Sequence, residues 1–207
     1  MRTLTVATIL VVAGAASAQS LFDEVGDAGQ AGPGDAQQTD GVGELTQING
    51  FLDIGDAAVY ALRIVDEAAF SATTVGGAGF DTQLFLLNAD GSGQVENDDE
   101  FDTFSLQSII RSDGVFDTGL YYLGVSSFDT DPVDIDGNRL FGFDTWPGAG
   151  DQRSPIGVNL WVDFASDPSG GGGDYSIFLT GAEFAVPTPG TMAILGIAGI
   201  AATRRRR

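Results

Sequence analysis

The chain contains no cysteine, no histidine and no lysine; its nine basic residues are all arginine. Each absence removes a class of chemistry. Without cysteine there is neither a disulfide nor a thiolate nucleophile. Without histidine or cysteine, Ser–His–Asp and Cys–His catalysis is impossible, and zinc loses its usual ligands. Without lysine there is no Ser–Lys pair, and Gly170 to Gly173 cannot be completed into a phosphate cradle. Basic charge is also scarce where it would matter. All 29 acidic residues lie between Asp23 and Glu183, and the only cations in that span are Arg63, Arg111, Arg139 and Arg153, a formal charge of −25. Arg2 and Arg204 to Arg207 bring the whole chain to −20. Such a surface repels nucleic acid and anionic lipid, because little on it can neutralise phosphate. It attracts cations, or simply keeps the protein soluble.

The ends read as processing signals. Arg2, the apolar stretch Leu4–Ala13 and the small residues Ala16-Ser17-Ala18 have the charge, core and cleavage pattern of a secretory signal peptide over 1–18. Signal peptidase would cut between Ala18 and Gln19. At the other end, Thr191–Ala202 is an apolar run of about a dozen residues closed by Arg204, Arg205, Arg206 and Arg207. A full crossing needs roughly 20 residues. Counted from Val186, with the arginines snorkelling, the segment predicts a short helix that just spans, its arginines cytoplasmic.

Val186-Pro187-Thr188-Pro189, a glycine-rich apolar helix and a terminal arginine cluster together resemble a PEP-CTERM protein-sorting tail over 186–207. The resemblance implies exosortase, a membrane-embedded enzyme of polysaccharide-producing bacteria, as the processing partner. It gives Pro187, Thr188, Pro189 and the four arginines sorting roles. Thr188 stands where the family usually has glutamate, which bears on the exosortase subtype. An ordinary C-terminal membrane anchor is the alternative.

Between the ends, 19–43 is rich in Gly, Ala, Gln and Asp and predicts a flexible leader, with Leu21 and Phe22 as docking points. From Glu44 the pattern alternates. Tyr60, Leu62 and Ile64 share a face, as do Tyr121, Leu123 and Val125, then Val158, Leu160, Val162 and Phe164, then Tyr175, Ile177 and Leu179. Period-two runs predict half-buried strands, and Leu84–Leu87, apolar on both faces, predicts a central one. Asp90-Gly91, Asp113-Gly114 and Asp136-Gly137-Asn138 mark turns. No internal segment has a long helical period. The expected fold over 44–185 is all-β: an antiparallel, jelly-roll-like β-sandwich of about eight strands. Phe128–Pro155 has no strand rhythm and reads as a long ordered or functional loop.

Phe80-Asp81-Thr82-Gln83-Leu84, then Asn97-Asp98-Asp99, then Gly119-Leu120-Tyr121-Tyr122-Leu123-Gly124-Val125, then Tyr175-Ser176-Ile177 resemble, in order, the core of bacterial pre-peptidase C-terminal domains. Secreted proteins described as DVUA-type are closer still. The resemblance implies a non-catalytic β-sandwich associated with substrate or surface binding, in some members with calcium.

Calcium takes six to eight oxygens from loops that can curl round it. Asp81, Asp90, Asn97, Asp98 and Asp99, from one strand start and two loops, form the first candidate set. Asp129, Asp131, Asp134, Asp136 and Asn138 form a second, with a partial EF-hand likeness that Pro132 and Phe143 interrupt. The alternative for both is turn-forming, solvated acids. A paired-carboxylate glycosidase has the residue types it needs, yet nothing singles out two acids from 29. For sugar stacking, Trp161 falls on the polar face of its alternating run, beside Trp146, Tyr121 and Tyr122 as further large aromatics; the alternative places Trp161 beneath the long loop. These readings converge on a secreted, non-enzymatic surface or matrix protein, transiently held in the membrane by its tail. The alternative is a calcium-dependent module binding extracellular polysaccharide.

Overall fold

The computed structural model describes residues 20–100, 102, 105–112, 116–142, 152–166 and 170–187. The signal segment with Ala18 and Gln19, Trp146, and the tail from Thr188 and Pro189 through Arg207 lie outside the described residues. Alternating apolar residues form strands because each strand must hide one face or both. The strands are β1 (Leu21–Asp23), β2 (Gln37–Gln38), β3 (Asp40–Gly41), β4 (Gln47–Leu52), β5 (Ala57–Ile64), β6 (Ser71–Thr73), β7 (Thr82–Asn88) and β8 (Gly93–Asn97). They continue with β9 (Ile109–Arg111), β10 (Gly119–Ser127), β11 (Thr130–Val133), β12 (Asp163–Ser166), β13 (Gly173–Thr180), β14 (Ala182–Phe184) and β15 (Val186–Pro187). Among the described residues there is no helix, so the all-β expectation holds.

One sheet runs β1-β4-β13-β6-β9, the other β14-β5-β10-β7-β8, with β2 also on β5. The first core cluster draws on both: Ile48, Leu52, Ile177 and Leu179 from one, Tyr60, Leu62, Leu84, Leu86, Leu123 and Val125 from the other. The pairing between long strands is antiparallel, as expected. The sheets are nevertheless mixed. The short pairs β1–β4, β2–β5 and β3–β15 are parallel, because these segments reach their partners from far along the chain and no hairpin dictates direction.

The opposite faces of β5, β7 and β10 are apolar too. Val59, Ala61, Phe85, Leu87 and Tyr122 form a second cluster with Leu140, Phe141, Trp161 and Phe164. The stretch after β10, expected as a loop, therefore supplies a covering layer, and β11–β12 is its short ribbon. Its details depart from the alternation. Val158 is 91% exposed and Leu160 49%, whereas Trp161 is wholly buried against Tyr122 and Phe164. The Trp161 ring nitrogen donates to the Gln30 carbonyl at 2.8 Å. Only 163–166 of that run is a strand, so the period-two assignment inverts, and Trp161 is no exposed stacking platform.

The segment 20–43, expected as a flexible leader, is woven into the body. Phe22, Ala28 and Ala36 are buried. The Glu24 carboxylate accepts from Ala28 N and Phe51 N, both at 2.9 Å. Its low hydrophobicity concealed an ordering that rests on side-chain caps and a few docked apolar groups. Trp161→Ala should cost about 3–5 kcal/mol in urea unfolding with an unchanged m-value; a change within about 0.5 kcal/mol would mean that the ring is not part of the core.

Candidate functional site

β7 and β8 form an antiparallel hairpin in which Leu84 opposes Asn97. The residue before β7 and those after β8 therefore lie side by side. Asp81, Asp98 and Asp99 meet there, with one carboxylate oxygen from each within 4.8 Å of the others. Like charges at that spacing disfavour the ionised form of Asp81. Burial, then the Asp99 charge, pushes the Asp81 carboxyl up to about 6. Its Oδ1 is buried with no hydrogen-bond partner.

The cluster is held from beneath by hydroxyls that sequence reading did not single out. Thr74 and Thr82 share a 2.6 Å hydrogen bond. The Ser108 hydroxyl donates to the Asp98 carbonyl at 2.6 Å, and it also contacts the Thr82 carbonyl. Thr74, Thr82 and Ser108 are wholly buried, so these bonds fix both strand ends from which the acids project. Gly170 closes the arrangement: Asp81 N donates to its carbonyl at 3.2 Å. A Cβ on Gly170 would lie 2.3 Å from Phe128 N, so the backbone packs closely here.

The other proposed ligands fall differently. Asp90 sits at the far turn of the hairpin, roughly 20 Å of strand away. Its Oδ1 is occupied by Ser92 N at 2.9 Å and the Ser92 hydroxyl at 2.6 Å, and these bonds lower its pKa. Hairpin geometry therefore removes Asp90 from the set. The Asn97 side-chain oxygen accepts from Ile109 N at 2.7 Å, a bond joining the two sheets. In the second candidate, Asp134 closes a turn on itself. Its Oδ1 accepts from Asp136 N and Asn138 N at 3.0 and 2.8 Å, and its Oδ2 from Asn159 Nδ2 at 2.6 Å. That geometry is the turn alternative.

Beside the acidic trio lies an ion-pair layer that sequence reading missed. Arg153 pairs with the buried Glu96 at 2.6 Å, and Arg139 with Asp129 and Asp131 at 2.7 and 2.6 Å. Asp129 adopts a left-handed backbone in the turn between β10 and β11. Burial holds Asp131 above the usual carboxylate range, against the opposing pull of Arg139. Gln83, Asp98, Asp129, Asp131, Arg139 and Arg153 line a pocket of about 50 Å³, room for a water or an ion and not for a sugar ring. The available signal was scarcity: with four arginines against 29 acids, three of them, Arg111, Arg139 and Arg153, sit against acids drawn out of water.

Three carboxylates from two strand ends suit a hard, oxygen-seeking cation, to which backbone carbonyls and water would add the remaining ligands. No protein-family model, curated protein or solved structure matches the chain.

A raised folded-state pKa makes the folded form hold the proton more tightly than the unfolded chain. The stabilisation is full at low pH and fades as pH rises through about 6, leaving a charge penalty at neutrality. In calcium-free buffer Asp81→Asn should raise the melting temperature at pH 7 and change it little at pH 4. Equal shifts at both pH values would disconnect Asp81 from the effect.

Proposed function

We propose that this is a secreted cell-surface or extracellular-matrix protein, sorted by exosortase through its C-terminal tail. Its two sheets act as a jelly-roll-like, non-catalytic sandwich with a structural or adhesive role. The observation that supports this most is the fit between fold and signals. β1 starts at Leu21, just after the Ala18–Gln19 junction, and β15 ends at Pro187, the first proline of the sorting motif. The N-terminal signal thus lies before the first strand, and the tail overlaps only the two-residue β15 at the margin of the body. The residue inventory adds support: it lacks every histidine-, cysteine- or lysine-based catalytic pair. In this reading signal peptidase and exosortase are processing partners, and the membrane is a transient one. Mass spectrometry of the protein recovered from producing cells should find a chain beginning near Gln19 and lacking the arginine cluster. Secreted material that retains Arg207 would overturn the sorting claim.

The second reading is a calcium-dependent module for extracellular polysaccharide, favoured by the convergence of Asp81, Asp98 and Asp99. Calcium would relieve the repulsion among the three acids and bind the folded form alone. A ligand at 100 times its Kd stabilises by about 2.7 kcal/mol, so millimolar calcium should raise the melting temperature by several degrees. The rise should vanish in Asp98→Asn, and a calcium-insensitive wild type removes this reading.

A further inference from the structure

The last described strand is fastened by a joint built around one buried hydroxyl. Thr39 is wholly shielded from solvent. Its hydroxyl donates to the Ala61 carbonyl of β5 at 2.7 Å and accepts from Ala185 N at 3.0 Å. Its own carbonyl accepts from Val186 N at 3.0 Å. β15 then runs parallel to β3, with Val186 opposite Asp40 and Pro187 opposite Gly41. Gly41 is required by close packing, since a Cβ there would lie 2.6 Å from the Phe184 ring, which is itself buried. Pro187 ends the ladder because it has no N–H to donate. The joint therefore grips the chain firmly through Val186.

We infer that this Thr39 clasp creates a defined proteolytic boundary: an enzyme acting on the tail reaches the chain only beyond Pro187, and β15 stays with the body. Proteases need an extended, unpaired segment several residues long. The clasp withholds Val186 and its amide, and among the described residues Pro187 is the last paired position. The proposal concerns any protease. Its use in maturation rests on the sorting reading above, but its test does not.

The full chain in detergent, digested with proteinase K and weighed intact, should yield a resistant core ending between Pro187 and Leu195. Val186→Pro, at an exposed position, removes only the amide donated to Thr39. It should move the end to Phe184 or earlier while leaving the far-ultraviolet spectrum unchanged. Thr39→Val should do the same, and Thr39→Ser, which keeps the hydroxyl, should restore the original end. A wild-type core trimmed past Val186, or variants that keep the wild-type end, would overturn the clasp. Because the protease is unrelated to exosortase, retention of Arg207 in the native protein would remove the sorting reading and leave this result intact.

Discussion

A sheet that is apolar on both faces must be covered twice, and that constraint governs this molecule. β5, β7 and β10 direct Tyr60, Leu62, Leu84, Leu86 and Leu123 to one side, and Val59, Ala61, Phe85, Leu87 and Tyr122 to the other. Each fully buried large side chain is worth about 1.5–3 kcal/mol, so leaving either side wet would cost about as much as a domain's whole stability. The five-stranded sheet covers the first side. The second is covered by chain that has little strand character of its own, carrying Leu140, Phe141, Trp161 and Phe164. The long stretch after β10 is therefore a structural requirement of the Leu84–Leu87 strand.

That cover has an electrostatic consequence. Laying it over the β7–β8 edge buries Glu96, Asp98 and Asp131. Buried carboxylates need partners, and the cover brings its own: Arg139 and Arg153. These arginines answer the acids on one side of Asp98. On the other, Asp81 and Asp99 bring two further carboxylates up to Asp98. The convergence of three carboxylates at one point, beside an ion-paired layer, is what points to a cation, more than the abundance of acids does. Acidity alone, spread over the whole chain, gives no such location.

The sequence displayed the parts of this arrangement governed by local pattern. Period-two runs located β5, β10 and β13, and the doubly apolar Leu84–Leu87 marked the central strand correctly. Asp81, Asp98 and Asp99 are in the first candidate set as acids of one strand start and an adjoining loop, and the β7–β8 hairpin brings those three together. Non-local geometry was hidden. Asp90 looked like a companion by proximity in the chain, yet a hairpin carries its turn as far from its open end as its strands are long. Trp161 looked exposed because its neighbours alternate, but alternation predicts a face only within a strand, and Trp161 precedes β12. The stretch 20–43 looked like a leader because caps such as Glu24, and single docked side chains such as Phe22, leave no periodic trace.

The parallel pairs show why the ends were least legible. Neighbouring strands joined by short turns pair antiparallel almost by necessity, so local signals predict them. β1, β2, β3 and β15 make no such turns with their partners. Each adds a short edge segment whose energy comes from backbone bonds and one or two buried groups. Thr39 is the extreme case: a single hydroxyl joins β5 to the exit of the chain, across a sequence gap that no pattern spans. Edge segments of this kind also occupy strand positions that would otherwise be open to other chains.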